Sequence, residues 1–187
     1  MILTGTGHRP NKIGGYGVDI ARHMELLAEE CLVELKPDVV ISGMALGWDQ
    51  ALAFAAHHQK IDWWAYVPFK NQDKMWPEKS KQVYAQLLLL ANRVVIVCDG
   101  EYAPWKMQKR NEAMIDQCDT VLALWNGSGG GTANCVAYAN KIGRPIINVW
   151  EKWSRYEAGK AISRNGTHLS DAYRKSTDEG PILSSRG

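Results

Sequence analysis

Three short segments of the chain hold the residue types that could do chemistry: Thr4-Gly5-Thr6-Gly7-His8-Arg9, Ser42-Gly43-Met44-Ala45-Leu46-Gly47-Trp48-Asp49 and Ser128-Gly129-Gly130-Gly131-Thr132. Glycines let backbone N–H groups approach an anion, and Arg9 adds a guanidinium able to make bidentate contacts. Three consecutive glycines cost roughly 0.5–1 kcal/mol each relative to alanine in ordered backbone, so a ligand that must come close to Gly129, Gly130 and Gly131 is the expected reason for them. The free N–H groups opening a helix at Thr132, with the Thr132 hydroxyl, suit a phosphate. Each segment also has a plainer reading. The first can be a tight connection with Arg9 solvated, Asp49 can compensate a helix dipole instead of accepting from a ribose hydroxyl, and the glycine run can be a surface loop.

Further along, Lys106 and Arg110 stand one turn apart near the start of a proline-opened helix, where cations oppose the dipole unless an anion is bound. The alternative is a solvated basic face, the reading given to Lys109. Of the eight tryptophans, Trp48 and Trp125 are the expected stacking surfaces for a base. His57 and His58 end a helix and are assigned no catalytic role.

These segments need a scaffold, and the periodicity supplies one. Strands are expected at Met1 to Thr6, Asp38 to Ser42, Ile61 to Val67, Arg93 to Cys98, Thr120 to Leu124 and Pro145 to Val149. Helices are expected at Tyr16 to Leu35, Trp48 to Gln59, Glu78 to Ala91, Pro104 to Gln117 and Thr132 to Ile142. Aliphatic strands alternating with amphipathic helices predict a doubly wound, mostly parallel, Rossmann-like α/β sheet flanked by helices in a single domain. The three glycine-marked loops then fall on one sheet edge, where such folds bind ligands. Residues 1–150 form the expected nucleotide-binding domain. Residues 151–187 read as a polar tail adding little core, with a short helix around Asp171 to Lys175 as one possibility.

The 187 residues carry 22 basic and 20 acidic side chains, a net charge of +2, so any electropositive site must be local. The four cysteines are spaced without a C-x-x-C pair and read as reduced, buried thiols, with no metal site or cofactor expected. The chain enters an apolar strand directly and has no long uncharged apolar run, so a soluble, cytoplasmic protein without membrane contact is expected.

The Ser42 to Asp49 segment, Arg110-Asn111 with Met114, and Ser128 to Thr132 together resemble the ordered motifs of the SLOG superfamily over roughly residues 1 to 149. The nearest likeness is to single-domain bacterial and phage members beginning G-T-G-H-R-P. The superfamily includes lonely-guy phosphoribohydrolases, DNA-processing protein A, and nucleotide or ADP-ribose sensors. The resemblance implies ligand contacts from Ser42, Gly43, Gly47, Asn111 and the residues already singled out, and a homodimer formed through sheet-flanking helices. The phosphoribohydrolases carry P-G-G-x-G-T-x-x-E with a catalytic glutamate, at whose position this chain has Cys135. A buried thiol does not stabilise an oxocarbenium-like centre as a carboxylate does, which leaves Arg110, Glu112 and Asp49 as candidates for any catalytic role. The expected function is binding of a nucleotide-derived ligand such as ADP-ribose or a cyclic ADP-ribose-type signal. The alternatives are an N-glycosidase acting on nucleoside monophosphates and a single-stranded DNA-binding protein. Near-neutral charge and one short basic cluster argue against nucleic acid as a partner.

Overall fold

The computed structural model describes residues 1–155. Strand β1 (Ile2–Gly7) leads through a short 3₁₀ turn at Pro10–Lys12 into helix α1 (Val18–Leu35). There follow β2 (Val39–Ser42), α2 (Trp48–His58), β3 (Asp62–Val67), α3 (Glu78–Leu90) and β4 (Arg93–Ile96). The second half runs through α4 (Pro104–Gln117), β5 (Thr120–Leu124), α5 (Gly131–Lys141), β6 (Ile146–Asn148) and α6 (Trp150–Arg155). The six strands lie in the order β4-β3-β2-β1-β5-β6, and every neighbouring pair is parallel. The chain builds outward from β1 to β4, then returns to lay β5 on the other side of β1. That reversal makes the β1/β5 boundary the switch point at which open α/β sheets leave a crevice.

Period-2 alternation decides what each face buries. Leu3, Val40, Ala65, Leu122 and Leu124 point to the face carrying α1, α2 and α3. Ile41, Tyr66 and Val121 point to the face carrying α4 and α5 through Met114, Ile115 and Cys135. Helix α2 is alanine-rich on its buried side (Ala51, Ala55, Ala56), which lets it lie close to the sheet and beneath the α1 stripe of Met24, Leu27, Ala28 and Cys31. The glycines of β1 serve the same packing. A Cβ on Gly5 would stand 2.6 Å from Leu52 Cδ2, and one on Gly7 would stand 2.5 Å from Trp48 Cβ.

Two expectations change. Helix α1 starts at Val18 and not Tyr16, because Gly14 and Gly15 hold φ of +111° and +103° and keep the preceding segment in a loop. The segment after residue 150 does not begin as a polar tail: α6 places Trp153 in the main core, edge-on to His23 at 6.4 Å, and Lys152 bridges Glu30 and Glu34 of α1 at 3.0 and 2.7 Å. The expected helix around Asp171 lies outside the described residues. Among the described residues, no helix is long and apolar enough to cross a membrane, and no three His, Cys, Asp or Glu side chains converge as metal ligands.

Candidate functional site

At the carboxyl ends of β1, β2 and β5 the loops enclose a cleft of about 400 Å³, within the roughly 300–1,000 Å³ of small-molecule sites. Of the residues singled out from sequence, the cleft is lined by Gly5 to Arg9, Asp49, Arg110, Asn111 and Gly129 to Thr132. Ser42, Gly43, Gly47, Trp48, Lys106 and Trp125 do not line it. The structure adds Asn11, Lys12, Ala45 and Met107, which sequence reasoning missed.

The cleft floor is a buried ion pair. Arg110 reaches from α4 across the sheet edge, donates to the Gly43 carbonyl from Nη1, and lies 3.6 Å from Asp49 Oδ2. Its Nε donates to Asn111 Oδ1 at 2.9 Å. Asp49, in the first turn of α2, accepts the Ala45 N–H at 3.3 Å, while Ser42 Oγ donates to the Asp49 carbonyl at 2.7 Å and accepts the Met44 N–H. Ser42 and Gly43 thus support the pair and need not touch a ligand. Glycine at position 43 is dictated by close approach, since a Cβ there would fall 1.9 Å from Arg110 Nη1 and 2.7 Å from Asp49 Oδ2. Burial pushes the Asp49 carboxyl above the ordinary carboxylate range, against the opposing pull of Arg110 and of the Ala45 N–H.

The cleft wall is the glycine loop. Gly130 holds φ +128° and ψ −164°, a conformation essentially restricted to glycine, and α5 begins at the next residue with no side-chain cap. The first N–H groups of α5 are therefore not taken up by a side-chain cap. A Cβ on Gly129 or Gly131 would meet no atom within 4 Å, so the fold's own packing does not require glycine there. Lys12, on the 3₁₀ turn, donates to the Gly129 carbonyl at 2.8 Å and brings its ammonium to the loop. From behind, Trp125 Nε1 donates to the Ser128 carbonyl at 2.8 Å, Asn126 Oδ1 accepts the Ser128 N–H, and His8 Nε2 sits 2.6 Å from Asn126 Oδ1.

Several assignments made from sequence are corrected by this geometry. Gly5 and Gly7 line the cleft within the β1/β5 ladder and make room for the α2 side chains Leu52 and Trp48, while the His8 N–H bonds the Leu124 carbonyl and is not offered to an anion. Trp48 is fully buried with its Nε1 on the Leu122 carbonyl and offers no stacking face. Trp125 braces the glycine loop. Lys106 is buried and its ammonium is consumed by the carbonyls of Asp99 and Glu101. Gly47, at φ +99°, packs against Pro10 and His8. Glu112 accepts from Gln108 on α4, away from the cleft.

Cys135 is fully buried in the α4/α5 core, and burial pushes its thiol up to about 11 against the Thr6 hydrogen bond and the Arg110 charge. It is protonated at neutral pH and cannot act as a base there. All four cysteines are buried. In folded protein, dithionitrobenzoate at neutral pH should therefore titrate essentially no thiol, and four after denaturation. Rapid labelling of Cys135 in the native state would contradict this burial.

Comparison with known proteins places these features in a family context. The family model described as the YspA SLOG family matches residues 6–142. The SPbeta prophage-derived protein YoqJ of Bacillus subtilis is 37% identical, the match covering 60% of this chain and 75% of that protein. DNA processing protein A of Helicobacter pylori, whose structure was described for its single-stranded DNA binding mode, superposes with TM-score 0.56 at 20% identity, covering 78% of this chain and 63% of that one. DNA processing protein A of Streptococcus pneumoniae gives TM-score 0.57 at 19% identity, covering 95% of this chain and 56% of that one. At these identities the structural likeness is one of fold. It nevertheless corrects the expectation against nucleic acid as a partner: net charge is a whole-chain quantity, and a protein with this fold binds single strands.

Proposed function

The chain belongs to the YspA SLOG family, and from that premise we propose that its cleft binds the phosphate groups of a nucleotide-derived ligand, of the ADP-ribose or cyclic nucleotide signal type. One observation carries the reading: Arg9 and Lys12 from the β1–α1 connection and Arg110 from α4 converge with the uncapped start of α5 on one cleft at the β1/β5 switch point. An anion placed there meets the exposed cations Arg9 and Lys12, the Asp49-paired Arg110 and a helix dipole together, a combination that neither a turn nor a capping role requires.

Binding is favoured over hydrolysis. N-glycosidic cleavage needs a carboxylate beside the reacting carbon. Among the residues lining this cleft Asp49 is the only carboxylate, and it is held by Arg110 and the Ala45 N–H. Release of free adenine from AMP or ADP-ribose, lost in Asp49→Asn, would reverse that preference. A single-stranded nucleic acid presents the same phosphate chemistry, and the shared fold with DNA processing protein A supports it as a second reading.

Thermal denaturation tests the first reading. ADP-ribose at a hundredfold excess over its Kd should stabilise the protein by about 2.7 kcal/mol, a rise of roughly 5–10 °C for a chain of this size. Lys12→Ala should reduce the rise without lowering the melting temperature of the unliganded protein, because Lys12 is exposed. Unchanged melting with every adenine nucleotide at millimolar concentration would contradict the reading.

A further inference from the structure

A second and larger opening, of about 770 Å³, lies between the loop joining β3 to α3 and the loop joining β4 to α4, and it shares Arg9 and Met107 with the phosphate cleft. The two are therefore continuous through one arginine and one apolar side chain. The second opening has an aromatic element and a cationic rim. Tyr102 is 65% exposed while its ring is fixed edge-on to the buried Phe69 at 5.8 Å. Lys70, Lys74 and Lys81 face Asp73 and Glu101, which with Arg9 leaves the lining net cationic. Lys81 pairs with Glu78 at 3.6 Å, whereas Arg9, Lys70 and Lys74 make no ion pair among the described residues. The loop carrying Phe69 is anchored by Gln72, whose buried amide donates to the Met44 carbonyl at 3.4 Å, so the aromatic surface is held in place without a ligand.

We propose that the site takes a ligand of two nucleotide units joined through phosphate: the first unit's phosphate on the glycine loop, the joining phosphate at Arg9, and the second base stacked on Tyr102. An exposed, braced aromatic ring beside unpaired cations is the arrangement that binds a base and its phosphate together. A mononucleotide would leave the second opening unused. The assignment rests on the phosphate reading of the first cleft and adds the ligand's length to it.

Calorimetric titration of the full chain with AMP, with the 5′-phosphorylated dinucleotide pApA and with a short oligothymidylate, repeated on Tyr102→Ala, tests it. Tyr102 is exposed, so the variant should fold as the parent does. The expected result is that pApA binds the parent at least tenfold more tightly than AMP, and that Tyr102→Ala weakens pApA about tenfold while leaving AMP unchanged. Affinity that stops rising at two units identifies a diffusible dinucleotide, and affinity that climbs with oligothymidylate length identifies a strand. AMP binding with no gain for pApA, or a pApA affinity indifferent to Tyr102→Ala, overturns the two-unit assignment alone. Failure of AMP and pApA alike overturns the phosphate reading and this assignment with it.

Discussion

Arg110→Ala should destabilise the protein by about 3–5 kcal/mol and abolish nucleotide binding. The stability loss follows from what the substitution leaves behind. Asp49 is 6% exposed, its partner at 3.6 Å would be gone, and burial already opposes its charge. An uncompensated carboxylate at that depth either ionises at high cost or takes up a proton. The sign of the pH dependence follows. Asp49 has a folded pKa raised above its unfolded value, so its contribution favours the folded state below the unfolded carboxylate pKa and is lost as pH rises through the folded one. Removing Arg110 removes the cation that opposes this shift, so the variant's deficit should widen from acid toward neutral pH. Arg110→Ala with Asp49→Asn should recover part of the loss, because the unpaired charge goes with it. Urea denaturation of the parent, both single variants and the double variant measures the coupling. A loss under 1 kcal/mol for Arg110→Ala would mean that the pair is solvated and that Arg110 does not organise the cleft.

Gly130→Ala should separate backbone requirement from ligand approach. At φ +128° and ψ −164° a side chain is strained by about 1–3 kcal/mol, and relief of that strain would move the start of α5 away from the cleft. Phosphate-ligand affinity should fall at least tenfold, alongside a loss of stability within that range. Gly129→Ala is the control: its Cβ meets no atom within 4 Å, so stability should change by less than about 0.5 kcal/mol. If the loop cradles phosphate, the added methyl should still weaken binding by crowding the approach. Paired denaturation and titration curves read both quantities. Unchanged affinity in both variants would leave the glycine run as a surface loop.

What the sequence made legible follows from the range of each interaction. Helix α4 and strand β5 have the bounds that their local patterns predict, Pro104–Gln117 and Thr120–Leu124, because a proline start and an aliphatic run are nearest-neighbour signals. The doubly wound sheet followed from the same alternation. Long-range contacts did not follow. Lys12 meets the glycine loop through Gly129, 117 residues later, and nothing near Lys12 announces that partner. Trp48 sits at a strand end in the same pattern as Trp125, but only the packed structure shows that one ring fills the core beneath β1 while the other braces a loop. Gly43 and Gly7 illustrate the same limit. Glycines read as openings for an anion are spaces for Arg110 and for Trp48, a distinction that depends on what folds against them. Helix α6 was hidden because its apolar anchors, Trp150 and Trp153, stand among polar residues in a six-residue helix.

Phosphate recognition by the cleft underlies each binding expectation. It is tested most directly by titrating the purified chain calorimetrically with ADP-ribose, AMP and adenosine at two salt concentrations. The phosphate-bearing ligands should bind, adenosine should bind at least tenfold more weakly than AMP, and added salt should weaken the first two far more than the third. Adenosine binding as tightly as AMP, or no heat from any of the three at millimolar concentration, would contradict it.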